Sequence, residues 1–147
     1  MYKFLATPFF FAFLALAGLS VTSVEANATA IVAKVDLSQQ RMNVYVNGKR
    51  KYSWRVSTGK RGWETPARTY RPIRTYKSYY EKKWNMSLPW LVLISSDGIG
   101  IHGTGAVGRL GRVASHGCIR LHPSNAKKFY KLVTAGNKYN TRIEVVR

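Results

Sequence analysis

The sequence predicts a mainly β fold with one α-helix in its C-terminal region. Three observations carry that reading. Apolar residues recur at every second position in several short runs, glycines cluster late in the chain, and a single segment repeats with helical spacing. Ile31, Ala33, Val35 and Leu37 alternate with polar or small partners, as in a half-buried strand. Met42, Val44 and Val46 continue the period, and Asn47-Gly48 then supplies two residues that tolerate positive φ at a tight hairpin turn. Tyr52, Trp54 and Val56 carry the return strand to Ser57-Thr58-Gly59. From Thr69 to Tyr80 aromatic and basic residues alternate in a second β-rich stretch, and Trp90 to Ile94 is a short apolar run suited to a buried strand. Glycines 98, 100, 103, 105, 108, 111 and 117 are seven of the chain's twelve, which implies loops of unusual geometry and close backbone approach. Pro123 suits a first helical turn, Ala126, Phe129, Tyr130 and Val133 share one helical face, and Gly136 closes the helix. Arg142 to Val146 alternates as a final strand.

The chain has 147 residues, with 24 Lys plus Arg against 6 Asp plus Glu, a formal charge of +18, and one cysteine. This length suits one domain with a true core. Poverty in acids argues against Ca²⁺ loops and carboxylate-rich di-metal sites, and a lone cysteine against a disulfide framework, a zinc ribbon or a CxxC redox pair. Residues 1–26 read as a secretory signal peptide: Lys3 supplies positive charge, Phe4 to Leu19 is almost wholly apolar, and Val24-Glu25-Ala26 offers a small-x-small cleavage site. The apolar run falls short of the roughly 20 residues of a spanning helix, so cleavage is expected, with no transmembrane helix afterwards. The functional domain is then expected over 27–147, still at +18 because Lys3 and Glu25 cancel. Export redirects the meaning of the charge. The expected polyanions are envelope polymers, nucleic acid is not an expected partner, and basic residues spread along the chain without a run of five.

All three histidines and the cysteine fall between Ile101 and His122. Zinc ligation by His102, His116, Cys118 and His122 is one reading, and a buried structural cysteine with incidental histidines is another. A cysteine nucleophile with a histidine base explains most, since an exported protein that keeps one unpaired thiol beside histidine has reason to use it. A neighbouring imidazolium and basic residues would lower the thiol from about 8.5 toward neutrality. Gly117 frees the backbone to turn amides toward a developing oxyanion. For the base, His116 shares a face with Cys118 if the segment is extended, and His102 approaches from a separate strand end. In so acid-poor a chain a backbone carbonyl near Gly103 is the expected orienter of the base, with Asp97-Gly98 read as a turn tip.

Ile101-His102-Gly103-Thr104 followed by Ser115-His116-Gly117-Cys118-Ile119-Arg120-Leu121 resembles the signature of the L,D-transpeptidase (YkuD-like) catalytic domain. Ser57-Thr58-Gly59, the Thr65-Pro66 step before Tyr70, and the closing helix and strand extend the likeness over roughly residues 30 to 147. The resemblance implies a β-sandwich or barrel and a cofactor-independent, metal-free enzyme of the periplasm or cell-wall space. In that family a cysteine attacks peptidoglycan stem peptides at the third residue, releases the terminal D-amino acid and passes the acyl group to an amine, giving a 3→3 crosslink or anchoring a protein. Carried onto this chain, Cys118 is the nucleophile and His102 the general base. Ser115, His116, Gly117 and Gly103 support the site and its oxyanion hole with the Cys118 amide, and Arg120 holds a substrate carboxylate. Hydrolysis of the same bond is the nearest alternative, and a non-catalytic cationic wall-binding protein is an alternative of another class. Ala67-Arg68 stands where the family often has a glycine. Trp63, Tyr79, Tyr80, Trp84 and Trp90 are candidates for lining the donor groove, weighed against ordinary core packing.

Overall fold

A computed structural model describes residues 29–136 and 138–147. The expected signal segment 1–26 lies outside the described residues. Among the described residues, eleven strands and one α-helix form two main sheets and a small hairpin. In chain order the strands are β1 (Ile31–Asp36), β2 (Arg41–Val46), β3 (Lys49–Arg55), β4 (Thr69–Tyr70), β5 (Arg74–Tyr76), β6 (Tyr80–Glu81), β7 (Met86–Ser87), β8 (Leu91–Leu93), β9 (Gly100–Gly103), β10 (Ile119–Leu121) and β11 (Thr141–Val146), with helix α1 (Pro123–Ala135) after β10. The first sheet runs β3-β2-β1-β11-β4, with β11 parallel to β1, and the second runs β10-β9-β8-β5, with β10 parallel to β9.

The alternation in β1 does what its period demands: Ile31, Ala33 and Val35 are buried while Lys34 faces solvent. Asn47 and Gly48 take φ of 49° and 76°, the left-handed pair that the β2–β3 turn requires. Helix α1 buries Ala126, Phe129 and Val133 and packs on β8 and β9, its entry set by Pro123 at the first turn and by His122, whose Nδ1 accepts the Ser124 amide. Gly136 caps the helix with φ of −87°. A Cβ there would approach Ile31 Cδ1 to 2.8 Å, so close packing requires the glycine, not a left-handed backbone.

The stretch from Thr69 to Tyr80 is not one β unit. Pro72 lies between β4 and β5, and the three short strands go to three different sheets. The apolar run 90–94 contributes only Leu91–Leu93 as strand, because Trp90 takes a left-handed φ of 58°.

Residues 57–60 join the sheets. The Ser57 and Arg120 backbones exchange hydrogen bonds of 3.0 and 2.8 Å, the Thr58 carbonyl accepts the Ala114 and Ser115 amides, and Lys60 N donates to Ser115 O. Buried Gln40 braces this segment, accepting the Thr58 amide at 2.9 Å and donating to Thr58 Oγ1. Gly59 is obligatory here, since a Cβ would sit 1.9 Å from the Trp63 carbonyl oxygen. Gly59→Ala is therefore expected to lower unfolding free energy in urea by about 3 kcal/mol, as overpacking against backbone does. Gly105→Ala, where a Cβ meets nothing within 4 Å, should stay within about 0.5 kcal/mol of the parent.

Candidate functional site

Parallel pairing of β9 with β10 sets His102 opposite Arg120, two residues beyond Cys118. The turn before β10 is strapped on both sides. Ser115 Oγ donates to the Cys118 carbonyl at 2.5 Å and accepts the Gly117 amide at 3.1 Å. Thr65 Oγ1 donates to the Gly117 carbonyl at 2.8 Å while accepting the Gly59 amide at 3.0 Å. Gly117 has φ of +110°, a conformation that L side chains rarely adopt. That bend overturns the extended geometry in which His116 and Cys118 would share a face. It also commits the Gly117 amide to Ser115, so Gly117 shapes the turn rather than offering its own N–H to an oxyanion.

His102, His116, Cys118 and Arg120 all line one cleft of about 180 Å³. His102 is 2% exposed, and its Nδ1 lies 2.8 Å from the Gly103 carbonyl oxygen. A carbonyl only accepts, so Nδ1 carries the proton and Nε2 keeps the lone pair. Burial pushes this imidazole down to about 4, with Arg120 adding to the effect and the Gly103 carbonyl opposing it. The Cys118 thiol faces the Gly98 carbonyl oxygen at 3.7 Å. Burial raises it above its ordinary value, against the pull of the Gly100 amide and Arg120 and with a push from Glu81. Both shifts run against the expected thiolate–imidazolium pair and favour the neutral thiol and imidazole. Desolvation outweighs the surrounding cations.

Arg120 is only 9% exposed, donates to the Ala114 carbonyl at 3.4 Å, and leaves its buried Nε without a partner. A buried guanidinium with an unmet donor suits a carboxylate ligand. His116 stacks on Trp84 at 3.9 Å and 1° and meets the edge of Trp63 at 5.3 Å. Desolvation first, then Lys60, Arg120 and Lys83, hold it below the usual imidazole value. His122 caps α1 and does not line the cleft, so the four residues of the zinc reading are not brought together. Among the described residues, no three His, Cys, Asp or Glu side chains are grouped to hold a metal ion. Of the aromatic candidates Trp63 and Trp84 line the cleft, Trp90 packs against Tyr130 and the core, and Tyr79 and Tyr80 are exposed outside it.

Several cleft residues escape sequence reasoning. Hairpin β6–β7 brings Glu81, Lys83 and Met86 to the cleft beside the expected Trp84, and Lys83 Nζ lies over both indoles. Its strands are two residues each, too short for a periodic signal, and Asn85 with φ of 47° is the cue that marks its turn. Asp97-Gly98 is a turn tip, as expected, yet it also folds over the cysteine.

These charge states set two measurable pH dependences. Iodoacetamide alkylation of Cys118 should accelerate steadily between about pH 6 and pH 9 as thiolate appears, and a plateau near neutrality would show a lowered thiol instead. His102 binds a proton near 6.5 when unfolded but only near 4 when folded, so stability is full above 6.5 and declines as pH falls toward 4. The parent should lose about 3 kcal/mol more than His102→Gln over that interval, read by denaturant titration.

A family model described as the L,D-transpeptidase catalytic domain matches residues 30–145. An L,D-transpeptidase from Mycobacterium smegmatis superposes with a TM-score of 0.73 at 22% identity, over 81% of this chain and 59% of that one. L,D-transpeptidase 3 from Mycobacterium tuberculosis gives 0.73 at 20% identity, over 81% and 62%. An L,D-transpeptidase from Stackebrandtia nassauensis gives 0.70 at 27% identity, over 80% and 56%. The chain thus spans about three-fifths of the length of these solved structures and shares their fold. No curated protein matches it.

Proposed function

The chain belongs to the L,D-transpeptidase catalytic-domain family, and from that premise we propose that it is a cysteine-dependent acyltransferase acting on peptidoglycan stem peptides. The observation that carries the reading is the pairing, in one cleft, of the chain's sole thiol with an imidazole whose Nδ1 is fixed on the Gly103 carbonyl. As Cys118 Sγ attacks the carbonyl of the third stem residue, its proton passes to His102 Nε2. The amide bond to the terminal D-amino acid breaks, and His102 returns the proton to the departing amine, leaving a thioester on Cys118. An acceptor amine attacks that thioester, gives its proton to His102 and restores the thiol, closing a 3→3 crosslink. Arg120, which lines the cleft, meets a substrate carboxylate with its guanidinium. The Cys118 amide, set by the Ser115–Gly117 strap, faces the oxyanion, and Gly103 and His116 hold the walls. Export by the 1–26 leader brings the domain to the envelope, where its charge favours anionic polymers.

Purified protein given a disaccharide-tetrapeptide should release D-Ala and form dimers, while Cys118→Ala abolishes both. His102→Gln should retain alkylatable thiol yet lower the rate by about 10²- to 10⁴-fold. Free tripeptide without dimer selects hydrolysis, and unchanged turnover in Cys118→Ala overturns the mechanism. Solved relatives have been captured with imipenem and with a faropenem-derived adduct. Intact-mass analysis after carbapenem treatment should therefore place one adduct on Cys118.

A further inference from the structure

A second cavity, of about 490 Å³, lies between the β2–β3 hairpin and the C-terminal half of α1. It shares no lining residue with the catalytic cleft. Val46 and Leu132 give it an apolar floor, and exposed Lys51, Lys128 and Lys131 line its margins. Lys128 and Lys131 stand one turn apart on the same helix face, with Lys51 facing them from β3. Among the described residues no carboxylate lines the cavity, and the ion pairs, Arg68–Asp97 and Arg142–Glu144, lie elsewhere. Three ammonium groups held around one hollow without a counter-charge repel each other until an anion enters.

Tyr52 sharpens the ligand's chemistry. Its ring stacks on Trp54 at 4.7 Å and 18°, and Lys51 Nζ and Lys128 Nζ each lie 5.8 Å from its centre. The groove therefore offers a fixed aromatic surface, flanking cations and an apolar floor. Pyranose rings present apolar C–H faces, and uronic acids add carboxylates that lysine takes as a point charge without the fork geometry of arginine. A single-stranded nucleic acid would instead call for successive aromatic platforms, and this groove has one. We propose that the groove between β2–β3 and α1 binds an anionic polysaccharide strand, docking the domain to glycan apart from its catalytic cleft. This goes beyond the acyl-transfer reading and stands or falls independently of it.

The test compares the full chain with two charge-matched variants by affinity electrophoresis in polygalacturonate, with uncharged dextran as reference. Lys51→Gln/Lys128→Gln/Lys131→Gln removes the groove cations, and Lys34→Gln/Arg55→Gln/Arg74→Gln removes three exposed cations elsewhere. The groove variant should lose about tenfold in affinity and the control less than about threefold, with dextran unbound by all three. The single variant Lys131→Gln, losing about twofold to threefold, guards against a misfolded triple variant. Equal losses in the two triples overturn the proposal by reducing it to general attraction. The same groove dependence toward oligo(dT) overturns the commitment to glycan, and a dimer that the groove variant dissociates in sedimentation assigns the groove to a second copy.

Discussion

The backbone pairing of Ser57 with Arg120 and of Gly59 with Ser115 is the constraint on which the cleft depends, because it ties the end of the first sheet to the strand that bears the cysteine turn. Each partner in that region serves twice. Gly59 pairs with Ser115 and donates to Thr65; Thr65 then holds the Gly117 carbonyl; Ser115 spans the turn to the Cys118 carbonyl. The result is a backbone bend with positive φ fixed from two directions by buried hydroxyls. Glycine takes such a bend without steric strain, and the two hydroxyls select it from the many conformations glycine allows. Gln40, far off in sequence and itself left-handed with φ of 49°, extends the same brace to the β1–β2 turn.

Electrostatics in the cleft runs against the composition of the chain. A protein of charge +18 would be expected to stabilise a thiolate. Instead burial raises the thiol and lowers the imidazole, and Glu81, whose charge lifts the thiol further, is brought in by the β6–β7 hairpin. Arg120 is the buried cation of the site, and its charge bears on both groups. A carboxylate-bearing ligand on Arg120 would alter the field around the sulfur. Low local dielectric makes that change larger than it would be in water.

Much of this was legible in the residues. Alternation in 31–37 and 42–46, the Asn47-Gly48 turn and the Pro123-to-Gly136 helix reflect local periods and local turn chemistry, which a sequence carries directly. The orienting carbonyl at Gly103 followed from the scarcity of acids. What stayed hidden was set by distant partners. Nothing local says that β11 enters between β1 and β4, that Gln40 braces Thr58, or that Trp84 lands on His116. The upward shift of the thiol is hidden for the same reason: neighbours in sequence are basic, but desolvation comes from the packed fold.

The place of β11 has a consequence for how the molecule assembles. Residues 141–146 lie within the first sheet, parallel to β1 and antiparallel to β4, so that sheet cannot close until the last strand has arrived. The second sheet waits in the same way on β10, which pairs with β9 across the intervening glycine-rich loop and with Ser57 from much earlier in the chain. Contacts of such long sequence separation form late and slowly, because loop closure comes before its reward. A nascent or partly ordered chain therefore holds an ordinary solvated cysteine. The buried setting of Cys118 thus waits on the pairing of β10.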